Sequence, residues 1–221
     1  MKYNLEICVF NIKDLRSISK YNIQRIELCV NKNKGGLTPS EKDIKKSLEF
    51  NTPIHPIIRP RDGDFNYNKE ELKIMIKNIQ FCKDIGCDGI VFGVLDKNHN
   101  VNIKVCKELK SYCGNMSTTF HRAFDETKNP EGAMEDIIKM GFDRILTSGQ
   151  KTLALEGIDL INYLSKKSSG RIIIMPGSGI RSSNIENFKK NKFTKEFHSS
   201  SYINGKICLN ELNKLLNKLN L

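Results

Sequence analysis

Two hydrophobic rhythms alternate along the chain. Residues 4–10 (NLEICVF) and 24–30 (QRIELCV) alternate apolar and polar positions with the two-residue period of a strand. Residues 54–59 read the same way, as do shorter apolar runs at 88–92, 117–121, 144–147, 171–175 and 196–198. The segments between them carry a helical period. It is clearest over 69–85, where Leu72, Met75, Ile76, Ile79 and Cys82 return on one face. Further helices are expected at 13–20, 40–48, 101–112, 130–140, 153–165, 182–190 and 210–219, with Gly86 and Gly141 as stops and Pro130 as a start. Eight strands, each followed by a helix and starting roughly 20 to 35 residues apart, predict an α/β fold. The expectation is a single (β/α)8 TIM barrel occupying residues 1–221 as one domain. A doubly wound open sheet would want a glycine-rich first turn, and residues 10–14 (FNIKD) contain no glycine.

In such a barrel one face of each strand meets helices and the other is enclosed. Leu5, Ile7, Ile26, Leu28 and Ile58 suit the helix side. The enclosed side is then polar: Glu6 and Cys8, Arg25, Glu27 and Cys29, His55 and Arg59, Thr119 and His121, and His198. Residues 55–65 (HPIIRPRDGDF) concentrate the chemistry, with His55 and Arg59 on one strand face before a turn bearing Arg61, Asp62 and Asp64. An interior guanidinium must be paired or serve a ligand. Arginine forks match carboxylate and phosphate, so Arg59, Arg61, Arg122 and Arg25, with His55 and His198, form a candidate set for a small anionic ligand. Gly177 and Gly179, in MPGSGIRS after the seventh strand, can add backbone N–H groups to that set. Glu27 and His121 are the leading acid–base candidates, with Glu6 and Asp125 behind them. His99 lies in a polar loop, DKNHN, and reads as surface.

Cys8 and Cys29 close a repeated unit, Glu-Ile-Cys and Glu-Leu-Cys, on consecutive strands. Spacing alone favours two small buried side chains. As thiolates they suit a soft ion such as Cu(I), which two sulfurs can hold linearly. The four histidines form no zinc-type spacing, and no organic cofactor is expected.

Composition narrows the setting. The 221 residues are 38% hydrophobic and 28% charged, as in a soluble globular protein, and no run is long and apolar enough for a membrane span. The polar start lacks the apolar region of a signal peptide. Seven scattered cysteines, an odd number without a C-x-x-C pair, read as reduced thiols in the cytoplasm. The net charge of +11 attracts anions, but the lysines (Lys42, Lys45, Lys46, Lys189, Lys190, Lys192) lie along helix surfaces and no basic–aromatic module appears. No specific nucleic-acid partner and no membrane partner is expected.

A set of motifs spread over nearly the whole chain resembles the CutC family, named for copper homeostasis. They are EIC (6–8), RIELC (25–29), GGLTPS (35–40), IRPRDGDF (58–65), DGIVFG (88–93), TFHRAFD (119–125), RILTSGQ (144–150), IMPGSGI (174–180) and EFHS (196–199). The resemblance implies a cytoplasmic (β/α)8 barrel that binds copper and assembles as a homo-oligomer, a dimer or tetramer. Cys8 and Cys29 match the family positions associated with copper. Two readings follow: a copper homeostasis protein binding Cu(I), or an enzyme acting on a small phosphorylated or carboxylated substrate.

Overall fold

The computed structural model describes residues 3–221. Eight parallel strands and eight α-helices alternate along the chain. They are β1 (Asn4–Val9), α1 (Ile12–Ile18), β2 (Arg25–Leu28), α2 (Glu41–Ser47), β3 (Ile54–Pro56), α3 (Lys69–Asp84), β4 (Gly89–Phe92) and α4 (Ile103–Ser111). The second half continues with β5 (Ser117–Phe120), α5 (Pro130–Lys139), β6 (Arg144–Thr147), α6 (Ile158–Ser168), β7 (Ile173–Pro176), α7 (Ile185–Lys189) and β8 (Glu196–Ser199). A hairpin of β9 (Tyr202–Ile203) and β10 (Lys206–Ile207) precedes α8 (Leu209–Leu219).

The strand hydrogen bonds correct the expected barrel. They build two separate four-stranded parallel sheets, in the orders β3-β2-β1-β8 and β4-β5-β6-β7, rather than one continuous closed sheet of eight. Prolines at the sheet edges account for this. β3 is three residues long and ends in Pro56, which has no N–H to donate, so its link to β4 shrinks to a single bridge between Ile57 and Val91. That bridge carries one bond from the Ile58 N–H to the Val91 carbonyl, at 2.8 Å. On the other side β7 ends in Pro176, and no ladder joins it to β8 among the described residues.

Strand alternation sorts the side chains as their period requires. Leu5, Ile7, Ile26, Leu28 and Ile58 are buried in the main core with Met75 and Ile79 of α3, Leu109 of α4, Ile137 of α5, Leu164 of α6, Phe188 of α7 and Leu212 of α8. Each fully buried side chain of this size contributes about 1.5–3 kcal/mol. Cys8, Cys29, Ile57 and Val91 form a second, smaller cluster on the opposite strand faces. No helix among the described residues is long and apolar enough to cross a membrane.

Two local features differ from the sequence pattern. The sixth helix begins at Ile158 rather than at residue 153, because Gly157 passes against the main chain of Ser148 and Gly149. The β9–β10 turn is built on Asn204 and Gly205, both at positive φ, the sequence pair that favours a tight hairpin.

A Cβ on residue 157 would lie 2.1 Å from the Ser148 carbonyl oxygen, a main-chain atom that cannot swing away. Gly157→Ala should therefore destabilise the fold by about 1–3 kcal/mol or more. Urea unfolding measures this, and an unchanged midpoint would contradict the close approach.

Candidate functional site

The parallel register sets the polar residues in layers. Glu6 pairs with Arg25 and with His198, Cys8 with Glu27, and Glu27 with His55. In the lower layer Arg25 bonds Glu6 through Nε and Glu196 through a terminal nitrogen at 2.8 Å. Arg144 of β6 reaches the same Glu196 oxygen at 2.7 Å and the Ser117 hydroxyl at 2.6 Å. This chain of charges runs from one sheet to the other. Burial alone would raise the Glu6 carboxyl, but the Arg25 guanidinium and the His198 bond outweigh it and hold it well below the usual carboxylate range.

The upper layer holds the thiols. Cys8 donates to Cys29 across 3.6 Å. His198 Nδ1 lies 2.6 Å from Glu6 Oε1, so Nδ1–H donates to the ionised carboxylate and leaves Nε2 to face the other side, 3.6 Å from Glu27 Oε2. Cys8 Sγ, a Glu27 oxygen and a His198 nitrogen all lie within 4.8 Å of one another. The Cys29 thiol is pushed up to about 12 by burial, and Cys8 is raised by its bond to Cys29 and by burial. Burial raises the Glu27 carboxyl as well, against the pull of His198. Burial opposes a charged His198, yet the bonds to Cys8 and Glu6 and the charge of Glu27 raise its pKa well above the ordinary value.

This cluster forms one wall of a cavity of about 350 Å³, which Arg59, Phe65 and His121 also line. The loop after β7 adds Ser178, Gly179 and Arg181, and the end of β8 adds Ser199 and the following Ser200. Arg59 lies over the Phe65 ring at 4.8 Å, and Phe65 in turn lies 4.8 Å from the His121 ring. His121 Nδ1 accepts from the Ala123 N–H at 3.2 Å, while its Nε2 has no partner.

Several candidates from the sequence stand apart from the cavity. Glu6, Arg25 and His55 lie buried but do not line it. The Arg61 guanidinium is taken up by Glu71 at 2.7 Å, Asp64 at 2.8 Å and three loop carbonyls. Asp125 accepts from the Ser148 and Gln150 main chain and from Arg122, fastening the loop after β5 to the end of β6. Arg122 lines the cavity in that pairing. The Gly177 N–H donates to the Thr147 carbonyl at 2.9 Å, whereas Gly179 borders the cavity at φ +77. His99 is half exposed, 4.0 Å from Glu126.

Sequence reasoning left out Glu196, Arg144 and Arg181. The two-residue period of β8 already puts Glu196 on the His198 face, and that of β6 puts Arg144 on the face of cavity-lining Leu146. Arg181, just beyond the glycine turn, carried no periodic signal.

A family model described as the CutC family matches residues 3–203. The chain belongs to the CutC family. A CutC family protein of Bacteroides thetaiotaomicron is 40% identical over 202 residues, covering 90% of this chain and 81% of that protein. A human relative, named copper homeostasis protein cutC homolog, is 38% identical over 200 residues, 89% of this chain and 72% of the relative. The crystal structure of a CutC protein from Streptococcus agalactiae superimposes with a TM-score of 0.85 at 30% identity, covering 90% and 98% of the two chains.

The donor set fits the metal that the CutC resemblance implies. Two sulfur–metal bonds of about 2.3 Å laid end to end would need thiols about 4.6 Å apart. At 3.6 Å the Cys8 and Cys29 sulfurs suit a bent bite with a further donor, not the linear pair that two thiols alone suggest. His198 and Glu27 lie within 4.8 Å of Cys8 Sγ and are the further donors beside the pair.

Burial lowers both His55 and His121 to about 3. With folded pKa values below the ordinary value of about 6.5, the unfolded chain binds more protons in acid. This contribution to stability is complete above about pH 6.5 and is lost as pH falls toward the folded values. His121→Leu should flatten the acid decline of unfolding free energy by about 1.4 kcal/mol per pH unit between about pH 5.5 and 4.5. Denaturant unfolding at those two pH values checks the slope, and parallel profiles for parent and variant would contradict a neutral buried His121.

Proposed function

We propose that this CutC-family chain binds copper as Cu(I) through Cys8 and Cys29, with His198 Nε2 as third donor and Glu27 beside it. The observation that carries the reading is a thiol pair, Cys8 and Cys29, of which Cys8 lies within 4.8 Å of an imidazole whose other nitrogen is fixed by a carboxylate. Thiolates and imidazole suit soft first-row ions, and a carboxylate behind a histidine orients it and raises its basicity. The name of the human relative supports copper as the ion.

Each residue has a defined task. Cys8 and Cys29 supply sulfur and lose their protons on binding, which their raised pKa values oppose until an ion compensates. Glu6 keeps Nδ1 of His198 protonated, so the proton that His198 gives up on binding leaves from Nε2, on the side of Cys8, against its raised pKa. Ile57, Val91 and Phe10 pack against the thiols, and Cys8 and Cys29 are buried. A bound Cu(I) would supply soft-ion affinity for sulfur. All seven cysteines are free, and a reducing cytoplasm would keep a thiol pair 3.6 Å apart in that state.

Anaerobic titration against a chromophoric Cu(I) chelator tests the reading. The reduced chain should take up one equivalent, with affinity rising as pH rises because protons are released. His198→Gln should weaken binding by about tenfold or more, and Cys8→Ser with Cys29→Ser should abolish competition with the chelator. Equal affinity in parent and double-serine variant would reject the site.

A further inference from the structure

The cavity wall beyond the thiols is cationic, and two of its guanidiniums have no carboxylate partner. Lys32, Arg59, Arg122 and Arg181 line the cavity, and Glu27, which faces His198, is the one carboxylate among the described lining residues. Arg122 is paired with Asp125 at 2.9 Å. Arg59 is not paired. It is 7% exposed, it donates to the carbonyls of Lys34 at 2.9 Å, Gly36 at 3.4 Å and Gly63 at 2.9 Å, and its Nε has no partner. No carboxylate among the described residues lies within ion-pair distance of it. Arg181 similarly donates to the Ile180 and Tyr202 carbonyls and the Ser199 hydroxyl, with no acid beside it.

A structural role explains part of this. Arg59 clasps two loops, and Gly35 passes so close that a Cβ there would lie 2.9 Å from its guanidinium. The clasp and the Phe65 ring under the guanidinium account for its position but not for a buried full charge with no acid beside it, when buried charges in folded proteins are paired or hold ligands. Buried His121, with Nδ1 accepting and Nε2 unpartnered, adds a neutral N–H donor to the same cavity.

We infer that the cavity binds a small oxyanion-bearing ligand, a carboxylate or a phosphate, held between Arg59 and Arg181 with His121 donating. Planar guanidinium forks match the oxygen geometry of either group, and burial of Arg59 strengthens the charge-assisted bonds it makes. The ligand lies beside the thiol cluster but uses none of its donors. The inference therefore does not rest on the copper reading.

The test is calorimetric titration of the metal-free, reduced chain, in chelator-containing buffer, with inorganic phosphate and separately with malonate. At least one should bind; binding of phosphate alone or of malonate alone assigns the class. Arg181→Gln and Arg59→Gln should each weaken that binding by about tenfold or more, while Lys190→Gln, the same charge loss at an exposed position, should leave it within about twofold. If Arg59→Gln does not fold by circular dichroism, Arg181→Gln alone decides. Absence of binding by either anion up to about 10 mM, or variants that bind as the parent does, would overturn the inference. Because no copper is present, failure here and failure of the Cu(I) titration are separate results.

Discussion

Glu196 receives a guanidinium from each sheet. Arg25 comes from the sheet that contains Glu196 itself, and Arg144 from the other. Where the prolines at the edges of β3 and β7 leave the backbone ladders incomplete, this buried ion chain is the polar tie across the interior. Two arginines and two glutamates balance there, with Ser117, Asn4 and Met175 at their remaining positions. Such a network is weak as a net source of stability but strongly specifying, since removing one member leaves its partner charged in a place without water. The two sheets are thereby held at one relative position, and the layer above inherits it.

Buried polar residues differ in how completely each is paired. The ion chain of the lower layer is satisfied, although His55 Nδ1 and Thr119 Oγ1 have no partner. Arg61 and Asp125, which look reactive in the sequence, are also satisfied, each by several donors or acceptors within its own loops. The residues around the cavity are not. Cys8 and Cys29 have chiefly each other, His198 keeps Nε2 for Glu27 and Cys8, Arg59 has carbonyls and the Phe65 ring but no acid, and His121 has an empty Nε2. Glu6 connects the two regimes, because the same carboxylate that pairs Arg25 below orients His198 above. A soft ion against one wall and an oxyanion against the other would complete what the protein leaves open.

Much of this was legible from period and residue type. The alternation in residues 4–10 and 24–30 was enough to place Glu6, Cys8, Arg25, Glu27 and Cys29 on the enclosed faces, opposite Leu5, Ile7, Ile26 and Leu28. The helix period located all eight helices, with α6 shifted by a glycine contact that no local pattern reports. Closure into one sheet was not legible, since it depends on whether single edge residues can donate, and Pro56 and Pro176 cannot. Pairing was the other blind spot. Sequence shows that Arg61 and Arg59 flank Pro60, but only the fold shows that one meets Glu71 and Asp64 while the other meets no acid. His198 reads as an anion ligand beside other basic residues until the register with β1 brings it next to Glu6 and Cys8.

The central claim is that the thiol pair acts together with His198, held by Glu6, as one soft-metal centre. X-ray absorption of the chain loaded with one equivalent of Cu(I) addresses it directly, because sulfur and imidazole scatterers are distinguishable. The account predicts a first shell containing both sulfur and imidazole nitrogen, with the imidazole contribution disappearing in His198→Gln. A shell of two sulfurs alone, unchanged in His198→Gln, or one with no sulfur at all, would contradict it.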